Sequence, residues 1–157
     1  MVDNVRSAYN VGSIFRSADA FGVARIICTG ITPYPKIKGD RRLPHVVDKA
    51  ARMIAKTALG AEKSVPCKHA DQANSAISEY RQQGYHIYAL EQSNASSDIR
   101  RFEPRPPCLL VVGNELSGVN QMALEQADAV LEIPMRGRKE SLNVAVATGI
   151  ALYHLLG

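Results

Sequence analysis

Residues 131–145 read L-E-I-P-M-R-G-R-K-E-S-L-N-V-A, and three kinds of chemistry follow one another there. Leu131 and Ile133 end an apolar run that meets Pro134, which has no N–H to continue a sheet ladder. The segment 135–140 is basic and contains a glycine. Ser141 then opens an apolar-periodic segment from the position of an N-cap. A strand end, a basic loop and a capped helix start suit a charged ligand. An ordinary strand-to-helix connection has the same outline, and only the rest of the chain separates the two.

Working outward, strand and helix patterns alternate. A final helix is expected over 142–156 and a strand over 129–133, preceded by a helix over 119–127. Residues 108–112 form a continuous apolar run, as a strand covered on both faces would. The polar, basic, proline-rich stretch 93–107 reads as loop and 86–90 as strand. Asp71 is placed to cap a helix running to Gln83 and stopped by Gly84, and 64–68 reads as a short strand. Val46, Val47, Ala50, Ala51, Ile54, Ala55 and Ala58 define another helix, ended by Gly60. The segment 30–44 is long for a loop and carries three prolines with Lys36, Lys38, Arg41 and Arg42; long ordered loops are often functional. Residues 24–28 read as strand. Val11, Ile14, Phe15, Ala18 and Phe21 follow helical spacing after Asn10, an expected N-cap, and before Gly22, an expected C′ residue. Val2 reads as the end of a first strand. The alternation predicts an α/β fold, a mainly parallel sheet with helices on both faces.

At 157 residues one domain is expected, over 1–157. No apolar run approaches the roughly 20 residues needed to span a bilayer, and no signal peptide is visible. Cys28, Cys67 and Cys108 are odd in number and far apart. They point to a reducing, cytoplasmic compartment with neither a disulfide framework nor a zinc site. The net charge of +4 is unevenly spread. Residues 1–45 hold seven basic residues against Asp3, Asp19 and Asp40, whereas 113–133 hold no basic residue but Glu115, Glu125, Asp128 and Glu132. Positive loops beside an acidic segment point to a directed polyanion surface.

Common nucleotide signatures are missing. No G-x-G-x-x-G follows the first strand, and Gly113 and Gly118 have P-loop spacing without the Lys and Ser/Thr that must follow. His45, His69, His86 and His154 lack ligand spacing, so no metal is expected. Three polar constellations do stand at expected loop–helix junctions: Asn10 to Arg16, Val112 to Gly118 with Glu115 at the start of the following helix, and Ser141 to Asn143.

Together these segments resemble the three motifs of the SpoU/TrmH branch of the SPOUT superfamily of RNA methyltransferases. The resemblance is carried by N-V-R-S-A-Y-N-V-G-S-I-F-R-S-A-D-A-F-G at 4–22, L-L-V-V-G-N-E-L-S-G-V at 109–119 and I-P-M-R-G-R-K-E-S-L-N-V-A-V-A at 133–147, in family order. It implies an α/β fold with a C-terminal trefoil knot, a homodimer with sites near the subunit interface, and methyl transfer from S-adenosyl-L-methionine to a ribose 2′-hydroxyl of tRNA or rRNA. By resemblance Arg16 activates that hydroxyl, with Asn10, Glu115, Ser141 and Asn143 as the other polar site positions. Leu90, Gly113, Ile133, Met135 and Leu142 match cofactor-contacting positions. Charge placement makes Lys36, Lys38, Arg41, Arg42, Arg136, Arg138 and Lys139 candidates for RNA phosphate contact. Two other classes share parts of this pattern: a non-catalytic RNA-binding protein with the same fold, and a small-molecule nucleotide-binding protein.

Overall fold

The computed structural model describes residues 1–157. Seven strands are β1 (Val2–Asp3), β2 (Ile26–Thr29), β3 (Cys67–Ala70), β4 (His86–Leu90), β5 (Ser97–Asp98), β6 (Cys108–Val111) and β7 (Ala129–Glu132). Six helices are α1 (Ala8–Ala20), α2 (Pro44–Ala58), α3 (Ala61–Ser64), α4 (Ala73–Gln82), α5 (Gln121–Glu125) and α6 (Val144–Leu156). All strand pairs are parallel, in the orders β1-β2-β3 and β5-β7-β4-β6. The two groups meet where Asp3 N–H donates to the Val112 carbonyl at 2.9 Å and Val112 N–H to that of Met1 at 3.0 Å. The expected parallel α/β architecture is therefore present.

Side chains alternate between two cores. Along β2, Ile26 and Cys28 pack with Phe15 and Ile54 under α1 and α2, while Ile27 packs with Ile77, Ile87 and Val111 on the other face. A smaller cluster joins Tyr88, Leu131 and Leu155 beneath α6. Apolar residues on both faces explain why β2, β4 and β6 read as continuous runs. Helices α1 and α2 approach closely at Gly12, where a β-carbon would overlap the Ile54 carbonyl and the Thr57 hydroxyl. No helix is long and apolar enough to cross a membrane.

Several boundaries differ from expectation. Ser7, not Asn10, caps α1, and its Oγ accepts from Asn10 N–H at 3.2 Å. Asn143, not Ser141, caps α6, accepting from Ala145 N–H at 2.9 Å. In both places two cap-competent residues stand close together, and residue type alone does not rank them. Gln72 precedes α4 in place of Asp71. Residues 61–64 coil into α3, which shifts β3 toward the C-terminus. Helix α5 starts later than expected because Asn120 caps it, and it ends at Glu125. The two-residue β5 lies in a stretch expected to be loop; it has no apolar signature and exists through pairing with Leu131 and Glu132.

Candidate functional site

The three polar constellations converge on one chain of hydrogen bonds. The Glu115 carboxylate accepts from Arg6 N–H at 3.0 Å, Ser7 N–H at 3.2 Å and Asn10 Nδ2 at 3.0 Å. Asn10 Oδ1 in turn accepts from Asn143 Nδ2 at 3.0 Å. Glu115 thus does not stand at the start of the helix that follows it in sequence. A turn closed between Asn114 and Gly118 separates it from α5 and aims it at the start of α1, where unpaired N–H groups favour a negative charge. Desolvation pulls its pKa up, but the hydrogen bonds donated by Arg6, its own N–H, Asn10 and Ser7 outweigh this and hold it below the usual carboxylate value.

Beside this junction, where β4, β6 and β7 end, lies a cleft of about 210 Å³. Open parallel sheets place ligands at these carboxyl ends. Leu90, Gly113, Ile133, Met135 and Leu142 all line it, as does Ser141. Its charged residues are Glu91, Glu115 and Glu132, with no Lys, Arg or His. Glu91 holds Val119 N–H at 2.8 Å and Gln92 N–H at 2.9 Å, and Glu132 accepts from Ser96 Oγ at 2.6 Å. The N–H groups of Ile133, Met135 and Leu142 have no partner within the chain. Apolar walls, free backbone donors and carboxylates without cations suit a partly apolar ligand that offers hydrogen-bond acceptors and carries positive charge. Gly113 also lets the turn close, because a β-carbon there would overlap the Gly118–Val119 backbone.

Arg16 stands apart from the cleft. It is exposed on α1 and lines a shallow hollow with Ser17, Leu59, Asn143, Val146 and Tyr153. Its guanidinium has no partner within the chain. Of the expected polar set, Asn10, Glu115 and Asn143 are joined, Ser141 lines the cleft, and Arg16 shares its hollow with Asn143.

Among the expected phosphate contacts, Lys36, Lys38 and Arg41 are exposed on the β2–α2 loop, and Arg136, Arg138 and Lys139 on the loop after β7. Arg42 is different. It bonds Asp40 through Nε at 2.9 Å and Nη2 at 2.6 Å, and donates to the Tyr34 and Pro35 carbonyls. Its donors are committed inside the loop, which removes it from the phosphate set. The Arg42 hydrogen bond holds the Asp40 carboxyl at about 2. Sequence reasoning missed Glu91, whose available signal is its place directly after a buried strand, and Arg6, for which no local pattern exists. No group of three or more His, Cys, Asp or Glu side chains could hold a metal ion.

The profile of the SpoU rRNA Methylase family matches residues 1–153. The chain is 34% identical over 151 residues to a tRNA (guanosine(18)-2′-O)-methyltransferase of Aquifex aeolicus, covering 96% of this chain and 64% of that protein. It is 31% identical over 154 residues to the Escherichia coli K12 protein of the same description, covering 97% and 59%. The crystal structure of the A. aeolicus TrmH/SpoU tRNA modifying enzyme superposes with a TM-score of 0.79 at 33% identity, over 98% of this chain and 70% of that one. An AdoMet-bound rRNA methyltransferase from Sinorhizobium meliloti gives 0.78 at 30% identity, over 98% and 53%. The chain therefore spans about six-tenths of the length of these curated relatives.

Proposed function

This chain belongs to the SpoU rRNA methylase family, and we propose that it is a methyltransferase acting from S-adenosyl-L-methionine on a ribose 2′-hydroxyl of tRNA or rRNA. The observation that carries the proposal is the segregation of charge. The cleft built by the second and third motifs holds carboxylates alone, whereas the exposed cations lie on the loops outside it. A cationic donor and a polyanionic acceptor fit that division. When bound, the cofactor supplies a methyl group already activated by its sulfonium. The N–H groups of Ile133, Met135 and Leu142 would hold its adenosine, with Leu90 and Leu142 enclosing the ring and Glu91 and Glu132 facing the positive charge.

The acceptor hydroxyl is a weak nucleophile, and a cation beside it stabilises the developing alkoxide. Arg16 takes this electrostatic and positioning role rather than that of a general base. Glu115 and Asn10 fix the start of α1 and the site's edge. Because Arg16 does not line the cleft of its own chain, we propose a homodimer that brings Arg16 of one copy to the cleft of the other. The apolar surface around Arg16 supports this, with Leu59 67% and Tyr153 69% exposed. The placement of β7 between β4 and the earlier β5 supports the trefoil knot expected of the family. Residues 1–157 are proposed as one catalytic domain, and three free cysteines fit a cytoplasmic setting.

The test is incubation with methyl-labelled S-adenosylmethionine and bulk tRNA and rRNA, followed by nucleoside mapping. Label in a 2′-O-methylnucleoside is expected. RNA binding without transfer would leave a non-catalytic RNA-binding protein.

A further inference from the structure

The β2–α2 loop encloses a second hollow, of about 780 Å³, against the first half of α2 and the start of α1. Its electrostatics reverse those of the cleft. Arg6, Arg41 and Lys49 stand on its wall with side chains in no ion pair. Of its two carboxylates, Asp40 is bound to Arg42 at 2.6 Å and Asp71 stands 3.9 Å from His69. Ile37 and Met53 give it apolar surface.

The hollow is held open by a built stack. The Arg42 guanidinium carbon lies 3.4 Å from the Tyr34 ring centroid, and the His69 ring stacks on Tyr34 with centroids 4.3 Å apart and planes at 21°. Asp40 neutralises Arg42, so the stack stiffens the loop without adding net charge. The hollow also meets the cleft. Asn4, in the left-handed region at φ 53°, accepts from Ile31 N–H at 3.2 Å through Oδ1, and its carbonyl accepts from Asn114 Nδ2 at 2.7 Å. Arg6 and Ser7, whose N–H groups hold Glu115, line the hollow as well.

We propose that this hollow holds one nucleotide of the acceptor RNA, a neighbour of the nucleotide that is methylated. The inference rests on the RNA reading above. A nucleotide joins a flat apolar base to an anionic phosphate, and the hollow offers Ile37 and Met53 to the first and Arg6, Arg41 and Lys49 to the second. A preformed, stiffened wall spares the ordering cost that a loose loop would impose on recognition.

The test uses the whole chain labelled with ¹³C at its methionine methyls, so that Met53 reports the hollow and Met135 the cleft. Random-sequence single-stranded RNA hexamers should shift the Met53 resonance, and sodium phosphate alone should not. The double variant Arg41→Ala/Lys49→Ala should weaken hexamer binding about tenfold near 0.1 M salt and lower the slope of log Kd against log salt by about 1.4. A Met53 signal that stays fixed while RNA binds overturns the proposal, as does unchanged affinity and slope in the double variant. A response to nucleoside 5′-monophosphates but not to hexamers also overturns it, because the hollow then takes a free nucleotide. Methyl transfer is measured in parallel. An active enzyme with a silent Met53 removes this inference and keeps the proposed function; a responsive Met53 without transfer keeps the hollow as an RNA nucleotide site but removes the methyltransferase reading and, with it, the placement beside a methylated nucleotide.

Discussion

Asn143 Nδ2 donates to Asn10 Oδ1 at 3.0 Å, joining residues 133 positions apart. One side chain thereby does two things, because Asn143 Oδ1 also caps α6. The two can be separated. Asn143→Ala loses both and should cost about 2 kcal/mol, whereas Asn143→Ser retains a cap and should cost about 1 kcal/mol. Urea unfolding of both variants reads the difference. Equal losses would show that the cap contributes nothing.

Glu115 links stability to pH. Its folded pKa is depressed, so its contribution is present above the unfolded value of 4.5 and is lost as pH falls through the lower folded value. Glu115→Gln should therefore cost about 1 kcal/mol at neutral pH, a modest figure because the group is exposed, and the difference from wild type should shrink below pH 4.5. Denaturation across pH 3–7 measures it. A difference that grows toward acid would reverse the assignment.

Arg41 and Arg42 are adjacent and should behave oppositely. Arg42→Ala breaks the Asp40 pair and the Tyr34 stack and should cost about 1–2 kcal/mol of stability. Arg41→Ala should leave stability within about 0.5 kcal/mol and lower the salt slope of RNA binding by about 0.7. Thermal melts and binding isotherms at several salt concentrations distinguish them. Equal stability losses would refute the division.

This adjacent pair also marks what can be read from residues in order. Strands buried on both faces and helices with one apolar face are local properties, and the parallel architecture followed from them. The three motifs were legible because each is a contiguous string. Partner choice was not. Glu115 stands near α5 in sequence but serves α1, because a tight turn at Asn114–Gly118 reverses the chain. Asn10 and Ser7 are both good caps, and the actual start of α1 depends on where Ala8 is buried. Arg42 counts as one positive charge in composition, yet Asp40 cancels it. The acidity of 113–133 was visible in order, but that Glu115 and Glu132, and not Glu125 or Asp128, line one cleft with Glu91 required the fold.

Gly12 tests the packing that carries the first motif. A β-carbon would meet backbone at Ile54 as well as the Thr57 hydroxyl, and backbone cannot swing aside. Gly12→Ala raises helix propensity by roughly 1 kcal/mol but should cost about 1–3 kcal/mol in overpacking, a net loss of up to about 2 kcal/mol. Chemical denaturation decides the sign, and a stabilised variant would show that α1 and α2 can separate freely.

The position of Arg16 outside its own cleft makes a prediction about mixtures. On the proposed function, Arg16→Ala should be inactive through loss of the cation beside the acceptor, and Leu142→Arg through a positive charge placed in the cleft proposed for the cationic donor. Leu142 is 37% exposed, so the substitution does not bury the new charge in the core. If each site combines Arg16 of one copy with the cleft of the other, a heterodimer of the two variants contains one intact site and one site with both defects. Random reassortment of equal amounts makes half of the dimers mixed, so activity should return to about one quarter of wild type. If Arg16 serves the cleft of its own chain, every site in every dimer carries one defect and the mixture stays inactive. Methyl transfer measured before and after reassortment separates the two arrangements, with sedimentation confirming that mixed dimers have formed.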